Sequence, residues 1–201
     1  MKELYEYGQV EIRDKDIFLN GKHLFHSEAS SIDPFLTDVY EHFVKSYPKF
    51  YKMDRISKLG FLAIEILLEN LSWIKELAKE KVAVLVQTAQ GSLDTDLHYM
   101  MNIQDPQDYF PSPSVFVYTL PNIVIGEVCI RNGFKGENLC LASENFDFQL
   151  AETAIRDWLS NGQTALVLVG WVEVKGDNRI GRFYALGNQQ EKSRGVFSQP
   201  I

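Results

Sequence analysis

Several groups of side chains have the types and spacing that could support chemistry. Asp94-x-Asp96-x-His98 offers two carboxylates and an imidazole just after an apolar run that reads as a strand, where α/β proteins place their sites. In an extended segment alternate side chains face one side, so all three could converge on a metal ion. No second cluster completes such a coordination shell, and an ordinary loop accounts for the same residues; no metal and no cofactor are expected. Glu144 and Asp147, on either side of Asn145, could work as an acid and base pair. The same residues stand just before a helix that starts at Gln149, where they would accept from free N–H groups at the positive end of its dipole. Capping needs no partner that the sequence fails to show. Lys45, Lys49 and Lys52, with Tyr47, Phe50 and Tyr51 between them, form a basic cluster readable as a docking patch or as a solvated helix end. Cys129 and Cys140 fit neither a metal nor a redox spacing and sit among apolar residues, so they read as buried free thiols. There is no Gly-x-Ser-x-Gly elbow and no phosphate-binding glycine loop.

The elements that must position these groups show in the apolar pattern. Val82-Ala83-Val84-Leu85-Val86 and residues 165–172 are continuous apolar runs, as expected for strands covered on both faces. Between them, residues 149–161 form a helix with Leu150, Ala154, Ile155, Trp158 and Leu159 on one stripe. Residues 54–78 read as a long helix that is apolar nearly all round, hence buried between layers, with Asp54 at its positive end. A shorter helix is expected over 34–47, with Ser31 or Asp33 near its cap and Pro34 in its first turn. At the start, Val10, Ile12 and Ile17-Phe18-Leu19 precede Asn20-Gly21 and Leu24-Phe25, a hairpin signal because both turn residues must take positive φ. A second hairpin turns at Lys175-Gly176-Asp177-Asn178 and returns over 180–186. Strands alternating with helices argue for an α/β layered sheet.

At 201 residues the chain is most simply one domain, with 1–50 as an N-terminal elaboration and 187–201 as a polar tail expected to fray. The net charge of −7 disfavours nucleic acid, whose phosphates demand a basic face. No apolar run approaches the roughly twenty residues that span a bilayer, and Met1-Lys2-Glu3-Leu4-Tyr5 does not begin a signal peptide. A cytoplasmic location is expected.

Asn122, Gly126, Gly133 and Gly136, followed by the run from Gly162 to Glu173, keep the offsets of the nucleophile half of the β-ketoacyl synthases, which the stretch 122–173 resembles. Met53-Asp54-Arg55 is similar to the Asp-Arg opening of a synthase helix, and Ser112-Pro113 to the approach to the asparagine helix. Together these matches run from Lys52 to Glu173. The chain also resembles the short family described as β-ketoacyl synthase-like, N-terminal domain, to whose altered elbow Ala142-Ser143-Glu144-Asn145-Phe146 is similar. The resemblance implies a thiolase-like half-fold, a mixed sheet covered by helices, to which the N-terminal hairpin is added. Counting from the glycines on one side and from Gly162 on the other puts the catalytic cysteine column on Asn145, a carboxamide that has no proton to lose and forms no thioester. Phe146 and Phe148 would then plug the space of the acyl thioester. Close packing at Gly126 and a tight helix start at Asn122 are implied too.

Complete synthases are roughly twice as long, and their histidine pair and lysine come from the second half. His23, His26, His42 and His98 all precede the nucleophile column and do not replace that pair. The resemblance therefore implies a non-catalytic, chain-length-factor-like accessory protein in bacterial fatty-acid, polyene or polyketide synthesis. It would pair with itself or with a ketosynthase-like subunit through 112–140, with homodimerisation the simpler case. The acidic total argues against direct docking of an acyl carrier protein, which is itself acidic, although a local patch could survive it. The other reading is a residual acyltransferase, thioester hydrolase or malonyl decarboxylase at the degenerate pocket, using Asn145 with Glu144 or Asp147; a coenzyme A or acyl-ligand module would need a tunnel with a basic mouth.

Overall fold

The computed structural model describes residues 3–104 and 111–198. The last residues of the polar tail, 199–201, lie outside them, as do 1–2 and 105–110, the latter within the stretch that carries the synthase resemblance.

The chain builds one mixed sheet from β1 (Tyr5–Arg13), β2 (Asp16–Leu19), β3 (Lys22–His26), β4 (Val82–Thr88), β5 (Asn138–Ala142), β6 (Leu166–Lys175), β7 (Asn178–Gly187) and β8 (Gly195–Val196). Its order is β3-β2-β1-β7-β6-β4-β5, with β8 on β1. Strands β5, β4 and β6 run parallel and all other pairs are antiparallel. Parallel neighbours need crossovers. These are α3 (Leu93–Ile103), α4 (Pro113–Val117) and α5 (Ile123–Asn132) between β4 and β5, and α6 (Phe148–Ser160) between β5 and β6. Ahead of β4 come α1 (Ile32–Phe43) and α2 (Arg55–Glu69).

The all-apolar strands are covered on both faces, as their composition requires. In β4, Val82, Val84 and Val86 join the larger core with α1, α2 and α5, while Ala83 and Leu85 join a second core with Phe148, Ala151, Ile155 and Leu159 of α6. The outer strands are different: on the α6 side, Glu6 and Glu11 of β1 pair with Arg194 and Arg182 instead of packing under a helix. The Asn20-Gly21 turn has φ of 54° and 76° and closes hairpin β2–β3, which extends the edge of the sheet beyond β1.

Three expectations are corrected. Helix α2 stops at Glu69 rather than at 78, and residues 72–76 form a 3₁₀ turn. Leu71, Ile74 and Leu77 keep an apolar spacing of three because a 3₁₀ turn also places i and i+3 on one side, so the pattern reads as continued helix. Helix α1 spans 32–43, not 34–47, because Lys45 takes a φ of 57° and Pro48 opens a separate 3₁₀ turn. The described part of the tail does not fray. Phe197 donates its backbone N–H to Leu4 O at 2.8 Å, Arg194 likewise to Glu6 O at 2.7 Å, and the Phe197 ring packs on Phe148 and Tyr184.

Candidate functional site

Parallel strands bring their carboxyl ends to one edge, and the residues singled out at 144–147 lie there. Thr88 stands opposite Ala142 across β4–β5, and Gln87 opposite Trp171 across β4–β6. Loop 143–147 leaves β5 beside the end of β4, and one side chain holds it there. Gln87, fully buried at the end of the apolar β4 run, donates from Nε2 to Asp147 O at 2.7 Å. Its Oε1 accepts the Asp147 N–H at 2.8 Å and the Ser143 hydroxyl at 3.3 Å. Ser143 N–H donates to Thr88 O at 3.2 Å. In the neighbouring loop Glu173 does a similar job, accepting from Ala89 N–H at 2.7 Å and the Thr88 hydroxyl at 3.0 Å. Neither clamp was singled out from sequence; the available signal was a polar residue ending an otherwise continuous apolar strand.

On this scaffold Asp147 caps α6, accepting the Leu150 N–H at 3.1 Å, as the capping reading expects. Phe148 is buried in the α6-side core, 4.8 Å from the ring of Phe197, and half-buried Phe146 stacks on Tyr184 at 5.9 Å. The two rings are thus seated on the protein's own aromatics. Asn145 and Glu144 point to solvent, and among the described residues neither side chain has a hydrogen-bond partner. An activated nucleophile needs an adjacent base held in place by a third group, and that arrangement is not assembled around Asn145 by the described residues. Three cavities, of about 610, 500 and 540 Å³, have no residue of 142–148 in their walls.

The other groups are rearranged by the fold. Asp94, Asp96 and His98 lie on α3, not on an extended segment, so neighbours two apart diverge around the helix. Asp94 faces Arg55 at 3.5 Å, while Asp96 accepts from the Ser92 hydroxyl at 3.3 Å. Asp94 and His98 border the 540 Å³ cavity between α3, α4 and the start of α2, together with Asp54, Arg55 and Tyr118. Asp54 caps α2 through Ser57 N–H at 3.1 Å and accepts the Thr95 hydroxyl at 2.7 Å; burial pushes its carboxyl up despite these bonds. The basic cluster comes apart. Lys49 pairs at 2.9 Å with Glu127, which is buried and also accepts from the Tyr118 hydroxyl, and Phe50 lies in the core against Tyr40. His42 packs on Phe25.

Among the glycines, Gly133 ends α5 with φ of 70°, and Gly136 crosses so close to Val82 O that no side chain fits. Asn122 occupies the helix start without a side-chain cap. Gly126 corrects the close-packing expectation: a Cβ there would meet nothing within 4 Å, and the tight approach of α2 to α5 is made by Gly60 against Val124. Cys129 and Cys140 are free and half-buried, and burial raises both thiols. One further feature was not foreseen: α3 and the segment after it expose Leu97, Met100, Met101, Phe116, Val117 and Leu120. Of α3, only Thr95 is buried.

No family model and no curated protein matches the chain. Solved structures do. The structure described as the ishigamide ketosynthase/chain length factor superposes with a TM-score of 0.72 at 16% identity, over 96% of this chain and 64% of that one. A ketosynthase (ApeO) in complex with its chain length factor (ApeC) from Xenorhabdus doucetiae gives 0.59 at 12% identity, over 93% and 79%. A β-ketoacyl synthase from Burkholderia phymatum gives 0.66 at 12% identity, over 95% and 60%. The chain thus spans 64% of the length of the first of these structures. At such identities the likeness shows the fold, and the fold is the thiolase-like α/β fold of ketosynthases. Among the described residues no helix is long and apolar enough to cross a membrane.

Proposed function

We propose that this thiolase-like chain is a non-catalytic accessory subunit that pairs with a ketosynthase-like partner in bacterial acyl-chain building, of the fatty-acid, polyene or polyketide kind. The observation that carries the reading is the elbow. At the carboxyl edge of the parallel strands, where a strand–loop–helix turn could present a nucleophile, the chain places an exposed carboxamide, Asn145, on a loop clamped by Gln87. Asp147 is committed to capping, and Phe146 and Phe148 take the part of plugs. This leaves the alternative of a residual transferase, hydrolase or decarboxylase with only Glu144 as its base, a carboxylate that points to solvent and is held by no third group among the described residues.

Pairing is supported by the exposed apolar side chains of α3 and α4, which exceed what scattered surface residues require. It is supported also by the matched structure in which a ketosynthase is in complex with its chain length factor. A partner of that kind, rather than a second copy, is the reading taken here, and an acyl carrier protein would meet the assembly through the partner. Measuring the intact mass of the assembly purified mildly from its native host tests this. A heteromer with a ketosynthase-like chain is the expected result; a monomer, or a homodimer without partner or acyl adduct, would remove the subunit role. Asn145→Cys is expected to give no condensation product from acyl and malonyl carrier-protein substrates, and any product would overturn the non-catalytic reading.

A further inference from the structure

At the free edge of the sheet, three side chains that the subunit reading leaves unused converge. The carboxylate of Asp16 on β2 lies 2.9 Å from His23 Nε2 and 2.8 Å from His26 Nδ1, both on β3. We propose that Asp16, His23 and His26 form a binding site for a divalent transition-metal ion of the zinc type, which clips hairpin β2–β3 together at the sheet edge.

The convergence follows from the register. Asp16 stands opposite His26, and Phe18 opposite His23. Asp16 and Phe18, two apart on one strand, share a face. Residues 23 and 26, three apart, would face opposite ways on a regular strand. The pairing slips by one residue between Ile17 and Phe18, leaving Leu24 without a partner, and this bulge turns both imidazoles to the Asp16 side. The ring of His23 also rests edge-on against Phe18 at 5.4 Å, which fixes its plane.

The donor atoms all lie within 4.8 Å of one another. A tetrahedral ion with bonds of about 2.0–2.1 Å spaces its donors roughly 3.3–3.4 Å apart. The two short spacings must therefore open by about 0.5 Å and the third close by at most about 1.5 Å, which exposed side chains achieve by small torsions. Two imidazoles with one carboxylate suit zinc, copper or nickel and discriminate against calcium and magnesium, which take oxygen donors. The second nitrogen of His26 lies 3.8 Å from the exposed carboxylate of Glu28, too far for a hydrogen bond as it stands but near enough to draw in and orient the ring, as outer partners of metal-bound histidines do. Three protein donors leave a fourth position for water. An edge strand carries unpaired backbone groups, and a clip there would resist fraying and slippage of the hairpin.

Titration of the untagged, chelator-stripped full chain with Zn²⁺ in a calorimeter tests the site, paired with thermal melts with and without the ion. The expected result is one saturable equivalent and a melting temperature that rises with Zn²⁺. His23→Gln and His26→Gln, both at exposed positions, should fold as the parent does and each lose at least about tenfold in affinity, together with the metal-dependent shift in melting. His98→Ala, on α3, should bind as the parent does. Absence of Zn²⁺ binding by the parent chain would overturn the proposal and leave the three residues as a hydrogen-bonded staple. So would binding that survives both glutamine changes, or that disappears with His98→Ala.

Discussion

Replacing Gln87 by Leu isolates the clamp that sets the elbow loop. Leu fills much the same volume in a fully buried site but can neither donate to Asp147 O nor accept from Asp147 N–H. Two hydrogen bonds of 2.7 and 2.8 Å are lost, and the third, at 3.3 Å from Ser143, is already weak. Losing a good bond costs about 0.5–1.5 kcal/mol net where water reaches the freed group, and about 1–3 kcal/mol where a backbone group is left without a partner away from water. Asp147 is exposed, so water reaches one of the two freed groups, and the two losses together come to about 1.5–4.5 kcal/mol. With a urea m-value of about 3 kcal/mol/M for a chain of this size, the unfolding midpoint should fall by about 0.5–1.5 M at unchanged m. Amide exchange should quicken over 143–147 more than in the body of β6. A midpoint shift below about 0.2 M, or exchange that rises equally throughout the sheet, would refute the assignment of Gln87 as the loop's local clamp.

Three other outcomes are expected. Burial raises the carboxyl of Asp54 above its usual value of 3.8, so the folded state binds that proton more tightly than the unfolded chain. Its favourable contribution is therefore present below the unfolded value and declines as pH rises through the folded one; Asp54→Asn, which keeps the cap, should gain relative to wild type in urea melts as pH rises above the unfolded value. Gly136→Ala would drive a Cβ against Val82 O and Glu80 O, costing about 1–3 kcal/mol and lowering the melting temperature by several degrees in calorimetry. Cys129 and Cys140 should react with a disulfide reagent at neutral pH at least about tenfold more slowly in the native protein than in urea, because burial holds both as protonated thiols.

Much of the frame was legible because it rests on local rules. The Asn20-Gly21 turn demanded positive φ and obtained it, and Gly133 sits where a left-handed helix end requires it. Capping by Asp147 was legible for the same reason, since its acceptor reaches a donor only three residues away. Reading 94–98 as extended failed because five residues are too few to show a period; over 93–101 Leu93, Leu97, Met100 and Met101 fall at helical spacing, on a stripe that α3 leaves exposed. Reading Lys45, Lys49 and Lys52 as one patch failed because a 3₁₀ turn sends Phe50 inward and a distant buried carboxylate, Glu127, claims Lys49.

By itself the amino-acid sequence determined the layered α/β class and the doubly covered strands β4 and β6, because an uninterrupted apolar strand has to be buried on both faces. It also determined that a carboxamide, with no thiol, stands at position 145. Only the tertiary structure decided that Gln87 would hold the elbow from the neighbouring strand, that β8 and Phe197 would dock a polar-looking tail, and that a slipped register would gather Asp16, His23 and His26 on one face. Each of those depends on which strands become neighbours and in what register, and a one-residue shift there moves a side chain to the opposite face while leaving the sequence pattern unchanged.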